Sequence, residues 1–589
     1  KKYYKGLGSS NKKDIKETFG VKVARFVSDE SLNDTMNKVF HSKQAEARKD
    51  WLKKFNPNHT ALKWSGSDQE TMSIKVSDFL DKELIKFSIA DCERSIPNLM
   101  DGLKESHRKV LFTCFKRKLN KKLIKVSQLT GSVSERTNYH HGEDNLQGTI
   151  IGMACSYVGG NNIPLLVRDG GFGTRIEMGK DASNGRYLHT HLDYLTRLIF
   201  RTEDDVLLDY IEEDGSSIEP RFYVPIIPMI LVNGSIGIGT GWSCNIPYYN
   251  PVELIECIRI WLSNNFSAYS EEDNIKVSVF PTLKPWYRGY KGEIVMEASD
   301  KFITRGIVER EKGKVKVTEI PVGMAISKFK DDLDKLKEEK QIKDYINHSS
   351  DVSIDFTISE IEDGIICNEE NLGLSKVIKT SNMVLFRADK GIHKFHTVDE
   401  IIDEFCKVRY EFYIKRKKYY LETLEKLISV LGNKKRFLEE IRDGIIILFE
   451  TKNGKRHSRS TIDLYRELEK RGYDKFDDKK KEKDDEDEEE PENKGDKGDK
   501  GDKGYDYLLT LRINNITAEK IVKLMNDIES NTKKRDELLI TTEAQLWLND
   551  LDELEKEYPT YLAMLDKEDE ETSKKNEKAK RKAKKVVKE

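Results

Sequence analysis

Cysteine is scarce in this chain and dispersed: seven residues among 589, at Cys92, Cys114, Cys155, Cys244, Cys257, Cys367 and Cys406. No two stand close together and none falls in Cys-x-x-Cys spacing, which argues against a disulfide framework and against a cysteine-rich zinc site. Also missing is any apolar run near the roughly 18 residues that span a bilayer, and no secretory apolar segment opens the chain. The expectation is a soluble, intracellular protein with reduced, buried thiols and no membrane partner. The first residue is Lys1 rather than methionine, which reads as a fragment or a processed piece.

A large net charge is absent too, but only in the sum. The formal net charge is −2, with 35% charged and 37% hydrophobic residues, so real cores coexist with large solvated faces. At this length the chain accommodates roughly four domains of ordinary size. Locally the charge is polarised. Between Lys104 and Lys125 stand Lys104, Arg108, Lys109, Lys116, Arg117, Lys118, Lys121, Lys122 and Lys125 against the single acid Glu105, around an apolar stretch Val110-Leu-Phe-Thr-Cys-Phe115. A cationic helix face with an apolar back suits a phosphate backbone, because each neutralised phosphate releases counterions; an ordinary solvated helix face fits the block as well. Asp477 to Glu492 is strongly acidic and runs into repeated Gly-Asp-Lys up to Gly504. Such composition cannot bury enough apolar surface to offset its ordering entropy and reads as a disordered insertion. Ser573 to Lys585 is basic and suits a nuclear address, a loose DNA contact or a plain solvated end.

Patterning suggests the following organisation. Residues 1–75 mix short apolar runs with a helical stretch over Ser42–Leu52, and Tyr4-Lys5-Gly6-Leu7-Gly8 suits a strand end turning into a loop. Residues 76–264 alternate helical and β-rich runs, including Phe222–Val232, whose paired prolines predict a rigid, extended core-lining segment. Residues 265–397 carry short apolar strands between turn signals, an α+β pattern. In 398–565, Phe405, Phe412 and Tyr419 at heptad spacing hand over to Leu424, Leu427, Leu431 and Leu438; a second stripe holds Ile521, Leu524, Met525, Ile528 and Leu538. Two such helices around a compact stretch suggest an antiparallel coiled-coil arm with a globule near its tip, although two unrelated core helices fit the pattern too. Residues 566–589 read as a basic tail.

Several motifs stand in one order: Tyr4-Lys-Gly-Leu-Gly-Ser, Glu93-Arg94-Ser-Ile-Pro-Asn-Leu-Met-Asp-Gly-Leu-Lys104, Tyr139-His140-His141-Gly-Glu143, Gly171-Phe-Gly-Thr-Arg175, Arg186-Tyr187 and Gly237-Ile238-Gly-Thr-Gly-Trp-Ser243. From Tyr3 to about Leu562 the chain resembles the central and C-terminal half of the catalytic core of eukaryotic-type DNA topoisomerase II, a type IIA enzyme. The resemblance implies a multidomain α/β and α+β fold: the C-terminal part of a TOPRIM domain at 1–75, a winged-helix DNA-cleavage domain at 76–264, a tower at 265–397, and a long antiparallel coiled coil with its exit gate (C-gate) at 398–565, the insertion at 477–504 included. It implies a homodimer acting on double-stranded DNA in the nucleus. It places both Mg²⁺ and ATP, with the TOPRIM acids and the ATPase domain, upstream of this chain, so that no metal ligand is expected within it.

The resemblance also assigns roles. Tyr187 matches the nucleophile that replaces a deoxyribose oxygen on phosphorus; a phenol, with a reference pKa of about 10, leaves more readily than an alkoxide, which suits reversible transesterification. Arg186 matches the residue that grips the scissile phosphate, a role suited to the guanidinium fork. His140 and His141 match the pair near the scissile bond, His141 for direct contact and proton handling. Arg94 and Lys104 match residues lining the DNA path, Ile238 matches an apolar wedge that bends the duplex, and Lys5, Arg108 and Lys109 are further DNA-binding candidates. Relatives of meiotic strand-breaking transesterases place the winged helix before TOPRIM, the reverse of the order here. A bacterial gyrase A-like reading fits less well, because the Tyr-Lys-Gly-Leu-Gly motif is fused to the winged helix. A non-catalytic DNA-bending protein of the same fold is the remaining alternative.

Overall fold

The computed structural model of the chain describes residues 11–19, 23–56, 62, 72–213, 215–272, 275–311, 313–361, 365–389, 391–452, 455–476, 504–511 and 518–586. They fall into two compact units, Lys1–Phe412 with Trp547–Glu589, and Tyr413–Leu546.

At the centre of the first unit lie three helices, Glu105–Lys116, Val126–Thr137 and Glu143–Ala154. The second buries Val126, Leu129, Thr130, Val133 and Thr137, a stripe at helical spacing that faces the core. It stops at Asn138, which adopts the left-handed conformation (φ 49°) that ends helices and that asparagine tolerates better than most residues. The third follows directly after Gly142, with Glu143 and Asp144 in its first turn, where carboxylates complement the positive end of the helix dipole. A short antiparallel pair, Ile124–Lys125 against His189–Thr190, lies beside the helix pair. Phe222–Val232 is core-lining as expected, but only its first part is extended: Met229–Val232 closes into a fully buried helical turn once past Pro228.

Residues 293–379 build two antiparallel sheets. The larger runs Ile307–Glu311, Lys314–Glu319, Phe356–Glu360, Ile342–Asn347 in spatial order. Alternate residues Val315 and Val317 point into a core shared with Phe329 and Leu333 of the helix Ile326–Glu338, as a half-buried strand requires.

The helix Val398–Arg442 spans 45 residues. Phe405 and Phe412 are buried, whereas Tyr419 and Leu427, at continuing stripe positions, remain exposed; further on, Leu438 packs with Ile521 and Leu524 of the helix Ala518–Ile540. Phe437, Ile446, Leu468, Tyr473, Tyr505, Tyr507 and Leu508 form a separate small core in the same unit. The insertion at 477–503 lies outside the described residues.

The C-terminal part departs from the expectation of an arm to 565 and a tail beyond it. One helix, Glu543–Val586, crosses that border, and from Trp547 onward it belongs to the first unit. The cause is a stripe the heptad reading did not use: Trp547, Leu551, Leu554, Tyr558, Tyr561 and Leu565, spaced alternately by four and three, are all buried. Trp547 Nε1 donates to the Ile226 carbonyl at 3.0 Å, and Tyr561 donates to Asp193 at 3.2 Å. All seven cysteines are free and buried, and burial pushes thiols such as Cys92 and Cys114 up to about 12. Among the described residues no helix is long and apolar enough to cross a membrane.

Candidate active site

Tyr187 is 69% exposed at the end of a loop whose backbone is fixed on both sides. The first amides of the helix Val126–Thr137 donate to it: Val126 N–H to the Leu188 carbonyl at 2.9 Å and Ser127 N–H to the Gly185 carbonyl at 3.2 Å. Gly185 runs close beneath the helices: a Cβ there would meet the movable Oε1 end of Gln147 of the helix Glu143–Ala154 and the side chain of Val126. Arg186 donates from its backbone N–H and its Nε to Asn184 Oδ1, at 3.2 and 3.1 Å, which leaves the guanidinium 5.7 Å from the Tyr187 ring. Arginine and tyrosine thus stand side by side at the surface. Buried phenols such as Tyr210 and Tyr248 are pushed up to about 12 by desolvation and make poor nucleophiles.

The preceding glycine-rich segment is held by its own contacts and by those of the neighbouring sheet. Phe172 is buried, and Thr174 bonds Asp181 through both N–H (2.9 Å) and hydroxyl (2.6 Å). Arg175 turns inward to Glu319 at 2.7 Å and the Ile320 carbonyl at 2.8 Å.

His140 and His141 occupy the turn between Asn138 and the start of the helix Glu143–Ala154, and both are exposed. His141 packs edge-on against Tyr139, ring centres 5.3 Å apart. With Arg94, Lys104, Asn145 and Thr149 these two line a cleft of about 320 Å³. Three predicted site residues, Arg94, Lys104 and His141, therefore meet in one place, while His140, Arg186 and Tyr187 do not line that cleft. The helix Glu143–Ala154 connects the two groups, with His141 just before its first turn and Gln147 against the tyrosine loop.

The antiparallel hairpin Ser235–Ile238 with Ser243–Ile246 is tied to the cleft at two points. Lys104 Nζ donates to the Ile236 carbonyl at 2.8 Å, and burial lowers the pKa of this ammonium. Asp91 accepts from Arg94 at 3.2 Å and from the Thr240 hydroxyl at 3.0 Å. Ile238 projects with 80% of its surface exposed.

Two candidates leave the DNA-facing set. Arg108 is buried, its Nε and Nη2 on Asp101 at 2.7 and 3.1 Å and Nη2 also on the Leu103 carbonyl. Lys109 is buried on Glu219 at 2.6 Å and the Thr137 carbonyl at 2.8 Å. Both lie on the apolar side of their helix, where desolvated cations are held only by such partners. Lys116, Lys118, Lys121, Lys122 and Lys125 of the same block are exposed, and Lys125 pairs across strands with His189, two residues beyond Tyr187. Lys5 lies outside the described residues. Sequence reading missed Asn184, Asp91 and Thr240, which position the groups above; only Asp91, three residues before Arg94 on one helix, carried a local signal. Among the described residues no cluster of three His, Cys, Asp or Glu side chains could hold a metal ion.

Comparison with known proteins bears on this arrangement. Residues 94–552 match the A-subunit family of DNA gyrase/topoisomerase IV. The chain belongs to that family. Residues 1–92 match the C-terminal associated domain of TOPRIM, so this topoisomerase-family chain joins in one polypeptide the two parts that the motif order suggested. It is 38% identical to DNA topoisomerase 2 of Invertebrate iridescent virus 6, over 94% of this chain and 45% of that protein. It is 37% identical to DNA topoisomerase 2 of Arabidopsis thaliana, over 94% of this chain and 38% of the relative. A mitochondrial DNA topoisomerase 2 of Dictyostelium discoideum is 36% identical over 98% and 41%. The chain thus spans less than half the length of each of these relatives. Among solved structures, the Plasmodium falciparum topoisomerase II DNA-binding, cleavage and re-ligation domain matches with a TM-score of 0.76 and 34% identity, covering 92% of this chain and 72% of that one. The resemblance to type IIA topoisomerases holds in sequence and in fold.

Proposed function

We propose that this chain is the breakage-reunion core of a type II DNA topoisomerase, acting on double-stranded DNA as a homodimer. The observation that carries the reading is the exposed Arg186-Tyr187 pair on a loop fixed by the first amides of the helix Val126–Thr137. The Tyr187 phenol oxygen attacks a DNA phosphorus and gives up its proton; the deoxyribose 3′ oxygen leaves and takes one up; a phosphotyrosyl link holds the 5′ end until the reverse step reseals the strand. The phenol returns the energy of the broken ester, so resealing draws on no outside source. Arg186 is suited to the charge that builds on the non-bridging oxygens, and fixing it in advance on Asn184 lowers the reorganisation needed in the transition state. Arg94, Lys104 and His141 offer a second phosphate a cleft at the start of a helix, whose amide end favours anions. Ile238 would enter a base step and bend the duplex, and each protomer would cut one strand so that a second duplex passes through the break, relaxing supercoils and decatenating DNA. Mg²⁺ and ATP, which type II relatives imply for the full enzyme, would bind outside the described residues, and no step above is routed through them. A nuclear location is our reading for a eukaryotic host; the relatives named above include a mitochondrial and a viral enzyme.

The test is denaturant-trapped covalent DNA adduct in the full-length protein with Mg²⁺, wild type against Tyr187→Phe. Adduct in the wild type alone is expected. Tight DNA binding without adduct in either would make the protein a non-catalytic DNA-bending one.

A further inference from the structure

The hairpin that carries Ile238 presents a second apolar side chain in the same direction. Along Ser235–Ile238 side chains alternate between faces. Gly237 turns inward, where a Cβ would collide with the Ser95 carbonyl, so Ile236 and Ile238 share the outer face, 70% and 80% exposed. Their cross-strand partners are Asn245 and Ser243, which are exposed and polar. Two branched hydrocarbon prongs therefore stand on polar ground, in a place where strands ordinarily put polar residues outward.

The surroundings point to one occupant. The strand is held from behind by Ser95 and from the side by Lys104, whose ammonium bonds the carbonyl of Ile236 itself, and the Arg94–Asp91–Thr240 chain fixes the loop between the strands. The prongs are thus rigid, flanked by cations, and continuous with the cleft proposed to take DNA phosphate. Residues two apart on a strand lie roughly 6.5 Å from each other, which is close to twice the ~3.4 Å rise between base pairs.

We propose that Ile236 is a second wedge, which enters the DNA minor groove two base-pair steps from Ile238 and helps to set both the bend and the steps that tolerate it. The inference rests on the DNA-cleavage reading and names a specificity-determining residue within it. Pyrimidine–purine steps unstack most easily, so a two-pronged wedge favours sites that carry such steps at both positions.

The experiment uses the protein on a short duplex with 2-aminopurine at single positions across the bend and dyes at the two ends. Wild type is compared with Ile236→Thr, which keeps the β-branched shape the strand favours, and with Ile238→Ala. The expected result is enhanced 2-aminopurine emission at two positions, two steps apart, in wild type; Ile236→Thr loses one and Ile238→Ala the other. Ile236→Thr should also weaken binding to the bent site by roughly three- to tenfold, in keeping with the lost apolar contact. A single perturbed step in wild type, emission indifferent to Ile236→Thr, or a change of oligomeric state in that variant without a change in emission would overturn the inference and leave the cleavage reading standing. A wild type that neither bends the duplex nor perturbs any position would overturn both. Circular dichroism and the melting temperature of Ile236→Thr, unchanged, would show that the hairpin still folds.

Discussion

Arg168, Arg201, Arg259 and Arg288 each meet carboxylates of the helix Glu543–Val586: Asp569 for the first, Asp550 and Glu553 for the second, Asp552 and Glu555 for the third, Asp566 and Asp569 for the fourth. Lys118, Lys121, Lys122 and Lys125 reach solvent on the stretch that leads into the strand pair beside Tyr187, with no ion pair to a carboxylate among the described residues. The first set is spent on holding a helix in place. The second set keeps its charge available to a polyanion. Density of lysine and arginine along the sequence therefore says little about DNA contact; what matters is whether carboxylates hold a cation against the fold, as here, or leave it at the surface, as Asp91 leaves Arg94, and in the helical seam the carboxylate is distant in sequence, 293 residues from Arg259 and 401 from Arg168.

The largest test of this contrast falls on a cation answered in the deep interior. Arg409 is fully buried against Asp204 at 2.8 Å. Arg409→Met should destabilise the protein by about 3–5 kcal/mol, because it strands a desolvated carboxylate. Urea denaturation measures this, and a loss under about 1 kcal/mol would mean that Asp204 finds other partners and that pairing is not what holds the arginine there.

Arg186 stands at the other extreme, an arginine whose described bonds go to an amide oxygen. Arg186→Ala should lower adduct formation by about 10²–10³-fold, the usual effect of losing one transition-state charge contact. Its melting temperature should stay with wild type. A stability loss comparable with that of Arg409→Met would place Arg186 among the structural cations instead.

Local grammar was legible and distant pairing was not. The helical stretch around Ala45–Lys53 follows from short-range patterning, whereas Tyr187 and Ile238 stood out through motifs that resemble the family, to which the motif order points. Arg108 and Lys109 were misplaced because they sit in a cation-rich stretch at the start of a helix, and nothing local shows that Asp101 and Glu219 receive them. The seam of the last helix escaped notice for the same reason, although its 4–3 stripe was present from Trp547 to Leu565. Arg175 turns inward to Glu319, a partner far along the chain in the strand Lys314–Glu319 that nothing local announces.

His107 sharpens the comparison, since it lies between an accessible cation and a buried one. Burial first, then the charges of Lys104 and Arg108, push its pKa down to about 4. Its Nδ1 accepts the Lys104 N–H at 3.3 Å, which requires the neutral ring. The unfolded chain, with histidine near its ordinary value of about 6.5, binds the proton first, so this contribution to stability is present above about 6.5 and is lost as pH falls toward 4. Allowing for partial exposure, the loss should be about 2 kcal/mol. Asp193, raised to about 6 by burial, acts in the opposite direction over part of this range, gaining stability as pH falls through 6. The difference between wild type and His107→Gln isolates the histidine, because glutamine keeps an acceptor for the Lys104 N–H but does not titrate. Parallel stability curves for the two proteins from pH 7 to 4 would remove the assignment.

The smallest effect tests the comparison most directly. Lys121→Gln with Lys122→Gln removes two exposed charges that make no ion pair among the described residues, while Arg259→Gln removes one charge matched by Asp552 at 2.8 Å and Glu555 at 2.6 Å. If the exposed lysines neutralise phosphates, each should contribute about 0.9 to the slope of log affinity against log salt, so the double variant should flatten that slope by up to about 1.8. Arg259→Gln should leave the slope unchanged and cost only a few tenths to about 1 kcal/mol of stability, as partly exposed pairs do. Both lysines sit outside regular structure, so the melting temperature of the double variant should not move. An equal change of slope in the two proteins would mean that the acidic helix does not shield its arginines from DNA, and that the division between answered and unanswered cations fails where it matters for binding.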